Sequence, residues 1–104
     1  RPKNLSLIVI DNEHYGETGM QKTHTGMGTN ISMVGKAAGF PFAETISNVK
    51  KLNEFIDSLH LSEGPKLAVI KVSNTQDPLV LPPRDGSYLK DRFRSALLGE
   101  EAIK

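Results

Sequence analysis

Residues 7–21 read LIVIDNEHYGETGMQ, and the break inside this stretch decides the fold. Leu5 to Ile10 is apolar except for Ser6 and rich in β-branched side chains. Apolar residues at successive rather than alternate positions predict a strand covered on both faces, the usual state of a parallel sheet in an α/β protein. A strand that only fills a core can end in any turn. This one ends in Asp11-Asn12 and then a polar run broken by Gly16 and Gly19, a cluster of oxygen donors.

Working outward, residues 12–30 (NEHYGETGMQKTHTGMGTN) read as one long loop. Loops of that length in compact domains are usually functional or disordered. Thr29 or Asn30 can cap a helix from about Ile31 to Ala38, with Ile31, Val34 and Ala38 on one face and Gly39 as its stop. FPF at 40–42 reads as a short extended piece, at most a brief strand. Thr45 or Ser47 can cap a second helix whose apolar stripe is Val49, Leu52, Phe55, Ile56 and Leu59. Gly64-Pro65 ends it, and KLAVIKV (66–72) is the second clear strand. Pro78, Pro82 and Pro83 hold the following connection extended. Asp85 or Ser87 can cap a closing helix to about Leu98, with Leu89, Phe93, Ala96 and Leu97 inward. Alternation of strands and helices predicts an α/β fold, a partial doubly wound parallel sheet with helices on its faces.

The bulk properties exclude several classes. At 104 residues the chain holds one domain at most. A net charge of +1 and scattered cations give no electrostatic search for nucleic acid or membrane. No apolar stretch has the length of a membrane span, and the start has no signal-peptide core. Cysteine is absent, which rules out disulfides and thiolate metal sites and fits a cytoplasmic location. RPKNLSLIVI opens almost directly in a strand, without Met, and reads as the tail of something longer.

In parallel sheets, ligands bind beyond the carboxyl ends of the strands, where Asp11 and Asn12 fall. Asn12 offers a neutral amide oxygen and the loop offers main-chain carbonyls, hard donors suited to Mg²⁺. An Asx turn after a strand is the plainer reading of the same residues.

VIDNEHYGETGMQ resembles the second half of the thiamine diphosphate-binding motif, which runs from Gly-Asp-Gly to Asn-Asn at the end of a following strand. The version it most resembles is that of the phosphonopyruvate and sulfopyruvate decarboxylases, and LPPRDGSYLKDRF is similar to the closing segment of that group. The resemblance implies that residues 1–104 are the later part of a diphosphate-binding domain with the thiamine diphosphate-binding fold. It implies that Asn12 is a side-chain Mg²⁺ ligand and the His14 main-chain carbonyl the next one. Asp11, which strand alternation turns away from Asn12, would brace the loop. Tyr15, Gly16, Glu17, Thr18 and Gly19 would continue the cofactor-facing loop, with Gln21 toward the substrate. The Gly-Asp-Gly half has no counterpart here, since Asp85-Gly86 lies in the wrong order. For the whole enzyme the resemblance implies an oligomer. Thiamine diphosphate and Mg²⁺ would lie between this domain and a pyrimidine-binding domain or subunit. A small 2-oxoacid would lose CO₂ to the cofactor's electron sink and leave as an aldehyde.

Other residues carry competing readings. His14 and His24 lie in the loop and are acid–base candidates, although a loop histidine is commonly just solvated. His60 ends a helix, where positive charge is favourable. TGMGTN (25–30) lacks a full phosphate-binding fingerprint and suits helix entry better. Met20, Met27 and Met33 could line a pocket or fill gaps. Arg84 could fork onto a substrate anion, the plainer role being an ion pair. Lys90, Arg92 and Arg94 solvate the last helix. Two rivals stand beside the enzyme: a non-catalytic α/β interaction module, and a flavodoxin-like nucleotide-binding domain, for which NEHYGETG is a poor phosphate loop.

Overall fold

The computed structural model describes residues 1–103. Three parallel strands form its sheet: β1 (Ser6–Asp11), β4 (Phe42–Ile46) and β5 (Lys66–Lys71), in the order β1-β5-β4. Within the loop predicted for 12–30, β2 (His14–Tyr15) and β3 (Gln21–Lys22) pair as a small antiparallel hairpin, and Thr25–Met27 make one 3₁₀ turn. Among the described residues there are three α-helices: α1 (Ile31–Ala37), α2 (Val49–Ser58) and α3 (Gly86–Leu98). A second 3₁₀ turn follows at Gly99–Ile103. The α/β architecture is the one expected from the alternation of elements.

Strand periodicity splits the core into two layers. Ala43, Leu67 and Val69 face one side, with Val9, Ile31 and Phe40 packed on them. Ile46, Phe55 and Ala68 face the other, with Phe42, Leu52, Leu59 and Ile70 around them. Here Phe42 and Phe55 stack with ring centroids 5.5 Å apart. The opposite layers explain why β5, with a neighbour on each edge, is apolar at every interior position.

α1 approaches the sheet so closely that its buried residues are Ser32 and Gly35. A Cβ on Gly35 would overlap the Leu67 side chain and lie 3.2 Å from the Ala43 Cβ. Val34 and Ala38, expected on the inner face, therefore turn outward. Asn30 is the cap, its side chain accepting from the Met33 N–H, and Gly39 stops the helix with φ 85°. The second helix is capped by Asn48, not by Thr45 or Ser47. Thr45 belongs to β4, which is five residues long where only a brief piece was expected. In α2 the inward stripe narrows to Leu52, Phe55 and Leu59, while Val49 and Ile56 stay exposed. At the helix end, buried Lys66 donates to the Ser58 and Leu59 carbonyls at 2.8 and 2.7 Å, which meets carbonyls the helix cannot satisfy itself.

Two expectations about burial fail. β1 is not covered on both faces: Leu7, Ile8 and Ile10 are exposed. It has one strand neighbour, and α1 packs over β4 and β5. α3 is capped by Asp85 as expected, but Leu89, Phe93, Ala96 and Leu97 are exposed along it. The connection 73–85 carries the helix away from the sheet. The radius of gyration is accordingly 17.7 Å, against about 13 Å for a compact chain of this length.

Candidate functional site

At the carboxyl end of β1 the chain must leave the sheet, and the Asp11-Asn12-Glu13-His14 turn is built from short-range hydrogen bonds. Asp11 Oδ1 accepts from the Glu13 N–H at 2.9 Å, and Asn12 Oδ1 from the His14 N–H at 3.0 Å. These are consecutive Asx turns, the local bonding that favours Asp and Asn after strands. The His14 ring turns back, with Nδ1 2.9 Å from the Asn12 carbonyl. Glu13 sits at φ 63°, a left-handed conformation that costs an L-residue about 1–2 kcal/mol.

The parallel register sets Asp11 beside Lys71, the last residue of β5. Lys71 Nζ donates to Asp11 Oδ2 at 2.8 Å and also to Glu13 Oε1. Thr25 donates to Asp11 Oδ1 at 2.7 Å, tying the first 3₁₀ turn to the strand end. Burial pushes the Asp11 carboxyl up, but the bonds from Lys71, Thr25 and the Glu13 N–H outweigh it and hold its pKa below 3.8. The same bonds from Asp11 and Glu13 raise Lys71 above its ordinary value. The buried Asp11 carboxylate thus joins the strand end to the Glu13 N–H, Thr25 and Lys71.

Two concavities flank this turn. One, of about 330 Å³, is lined by Asp11, Asn12, Glu13, His14, Lys71 and Ser73, among others. The other, of about 210 Å³, lies between Asp11, Thr25, Asn30, Thr45 and Lys71 at the entrance to α1. A larger hollow of about 610 Å³ opens at the opposite end of the sheet, among Lys3–Ser6 and Leu59–Glu63. Size does not decide between them. Ligands of parallel sheets bind at the carboxyl edge, and that is where the loop lies.

Asn12 is half-buried and lines the opening rather than pointing into the core. Its amide oxygen has a second lone pair beyond the one used by His14. Asn12 Oδ1 and the His14 carbonyl are thus neutral oxygens that a hard cation could use. The two carboxylates beside them, Asp11 and Glu13, share the single cation Lys71. Among the described residues, no group of three or more His, Asp or Glu side chains is arranged to hold a metal. The donors here fit part of a Mg²⁺ site and lack its anionic share.

The remaining candidates divide. Tyr15 and Gly16 pass through the hairpin; Tyr15 is exposed, and the Gly16 carbonyl accepts from Gln76 Nε2 at 3.0 Å. Glu17, Thr18 and Gly19 form the exposed hairpin tip. Gln21 Nε2 donates to the Thr18 carbonyl at 2.8 Å, so its amide stiffens this tip. His24 is exposed and lines neither concavity. Arg84 is exposed on the extended connection and, among the described residues, has no ion-pair partner. The structure does not bring Arg84 to the turn. Lys71, Glu13 and Thr25 escaped the sequence reading. The one available signal was a lysine closing an apolar strand.

The fold and this turn define an α/β chain that presents a polar loop at the carboxyl edge of a parallel sheet, and the comparisons narrow that class. Over most of its length the chain is similar to two curated proteins, each named sulfopyruvate decarboxylase subunit beta. The protein from Methanocaldococcus jannaschii is 37% identical over 103 residues, covering 92% of this chain and 50% of that protein. The protein from Methanococcus maripaludis is 35% identical over 100 residues, covering 92% of this chain and 51% of that protein. The chain spans about half the length of the curated relatives it matches. The resemblance to the sulfopyruvate decarboxylase group is borne out. No protein-family model and no solved structure matches the chain. Among the described residues no helix is long and apolar enough to cross a membrane.

Proposed function

We propose that this chain is part of a thiamine diphosphate- and Mg²⁺-dependent decarboxylase of small 2-oxoacids, of the sulfopyruvate or phosphonopyruvate type, working in an assembly with a second subunit. The observation that carries this reading is the Asn12–His14 turn at the carboxyl edge of the sheet, in a chain similar to two sulfopyruvate decarboxylase β subunits. In this reading Asn12 Oδ1 and the His14 carbonyl each take one position on Mg²⁺. The cofactor, when bound, supplies the electron sink for loss of CO₂. In this reading residues 15–21 are the loop that faces the cofactor.

Two neutral oxygens bring dipoles but no formal charge. The negative charge that Mg²⁺ needs must come from the diphosphate and from a carboxylate outside these residues. The chain alone therefore binds the cofactor weakly or not at all. The similarity of the relatives named as β subunits supports a partner that completes the site.

The test uses the full-length protein assembled with its partner subunit. Calorimetry with thiamine diphosphate and Mg²⁺ is expected to show saturable binding, and sulfopyruvate or phosphonopyruvate to release CO₂. Asn12→Ala, which removes one ligand, should weaken Mg²⁺-dependent cofactor binding by about tenfold or more, equivalent to about 1.4 kcal/mol. An assembly that neither binds the cofactor nor releases CO₂ from either acid would overturn the proposal and favour an interaction module.

A further inference from the structure

Asn12 is bracketed by two carboxylates that share one cation. Asp11 precedes it and Glu13 follows it, and both reach Lys71 Nζ. Because β1 and β5 are in parallel register, Asp11 and Lys71 are direct neighbours across the ladder. The Asp11 carboxylate is therefore fixed by the sheet itself, whereas Glu13 lies beyond it. Glu13 has left the sheet with a left-handed backbone, and a glutamate has no intrinsic preference for that conformation. Its carbonyl accepts from the Thr23 N–H at 2.9 Å. That carbonyl also lies so near Gly26 that a Cβ there would stand 2.7 Å away. The turn is thus gripped on its side-chain side by Lys71 and on its carbonyl side by the loop 23–26.

We propose that Lys71 is a positioning residue that holds the 12–14 turn in its left-handed shape by pinning Glu13 to the fixed Asp11–Lys71 pair, and so aims the Asn12 amide and the His14 carbonyl at the opening. Its consequence for metal binding rests on the reading given under Proposed function; the clamp itself does not. Lys71 touches neither cofactor nor substrate in this scheme and acts only through the backbone it restrains. The distribution of burial fits such a device. The Asp11 side chain is 6% exposed and the Glu13 side chain 44%, so one end of the clamp is anchored and the other is free to be caught.

Amide hydrogen exchange on the full-length, cofactor-free protein reads the clamp directly. Lys71→Met should speed exchange at the Glu13 and His14 amides about tenfold more than at the interior amides of β5 and α2. Adding Glu13→Gly, which adopts the left-handed shape without a side chain to pin, should recover most of the lost protection. Equal loss of protection throughout the chain, or no change at residues 13 and 14, would overturn the proposal. If Lys71→Met fails to fold, Glu13→Gln serves instead. It leaves the Asp11–Lys71 pair intact and should raise exchange at the same two amides about threefold, and an unchanged rate there refutes the clamp. Faster exchange in a protein that binds no cofactor keeps the clamp and rejects the decarboxylase reading.

Discussion

Replacing Gly35 by alanine tests how closely α1 must approach the sheet. In a free helix the change would stabilise by about 1 kcal/mol, because alanine has the higher helix propensity. Here the added methyl would overlap the Leu67 side chain and stand 3.2 Å from the Ala43 Cβ. Both neighbours are buried, at 3% and 2% exposure. Either Leu67 leaves its preferred rotamer or the helix lifts, and overpacking of this kind costs about 1–3 kcal/mol. The net expectation is a loss of about 0–2 kcal/mol. Urea unfolding of Gly35→Ala, Leu67→Ala and the double variant gives the coupling. Leu67→Ala alone should cost about 2–5 kcal/mol, but it also clears the space the new methyl needs. The double variant should then be at least about 0.5–1 kcal/mol more stable than the sum of the singles. Additive singles, or a Gly35→Ala protein more stable than the parent, would refute the close-packing argument. The site would feel the same shift, because Asn30, Ser32 and Thr45 form one hydrogen-bonded set at the entrance to α1.

The pH dependence has a definite sign. The folded-state pKa of Asp11 is held below 3.8, so its contribution is present above that value and is lost as pH falls through the lower folded value. Lys71 is raised above 10.5, so its contribution is present below 10.5 and is lost as pH rises through the higher folded value. Denaturation midpoints should be flat between those limits with respect to this pair, and Asp11→Asn should flatten the acid limb; identical acid limbs in parent and variant would count against the brace. The two exposed-versus-buried phenylalanines make a further contrast. Phe55→Ala, at a ring 4% exposed and stacked on Phe42, should lower the stability of the chain by about 3–5 kcal/mol. Phe93→Ala, 66% exposed on α3, should change it by no more than about 0.5 kcal/mol, and a large loss in the melt would place α3 in the core after all.

The sequence by itself determined the two long strands, the three helices and the carboxyl-edge position of Asp11 and Asn12. Those features rest on local physics: successive apolar residues, helical periodicity, and Asx bonding after a strand. It also pointed to the sulfopyruvate decarboxylase group, which the relatives bear out. What it left open depends on partners distant in the chain. The Asp11–Lys71 contact joins residues 60 positions apart and exists only because β1 and β5 align in one parallel register. Gly35, Ser32 and Lys66 face inward because α1 lies close against the sheet and the end of α2 presents carbonyls to Lys66. β1 and α3 carry apolar stripes that read as buried, yet among the described residues nothing packs over most of either. A stripe states that a face must be covered, and only the tertiary arrangement decides whether the same chain does the covering.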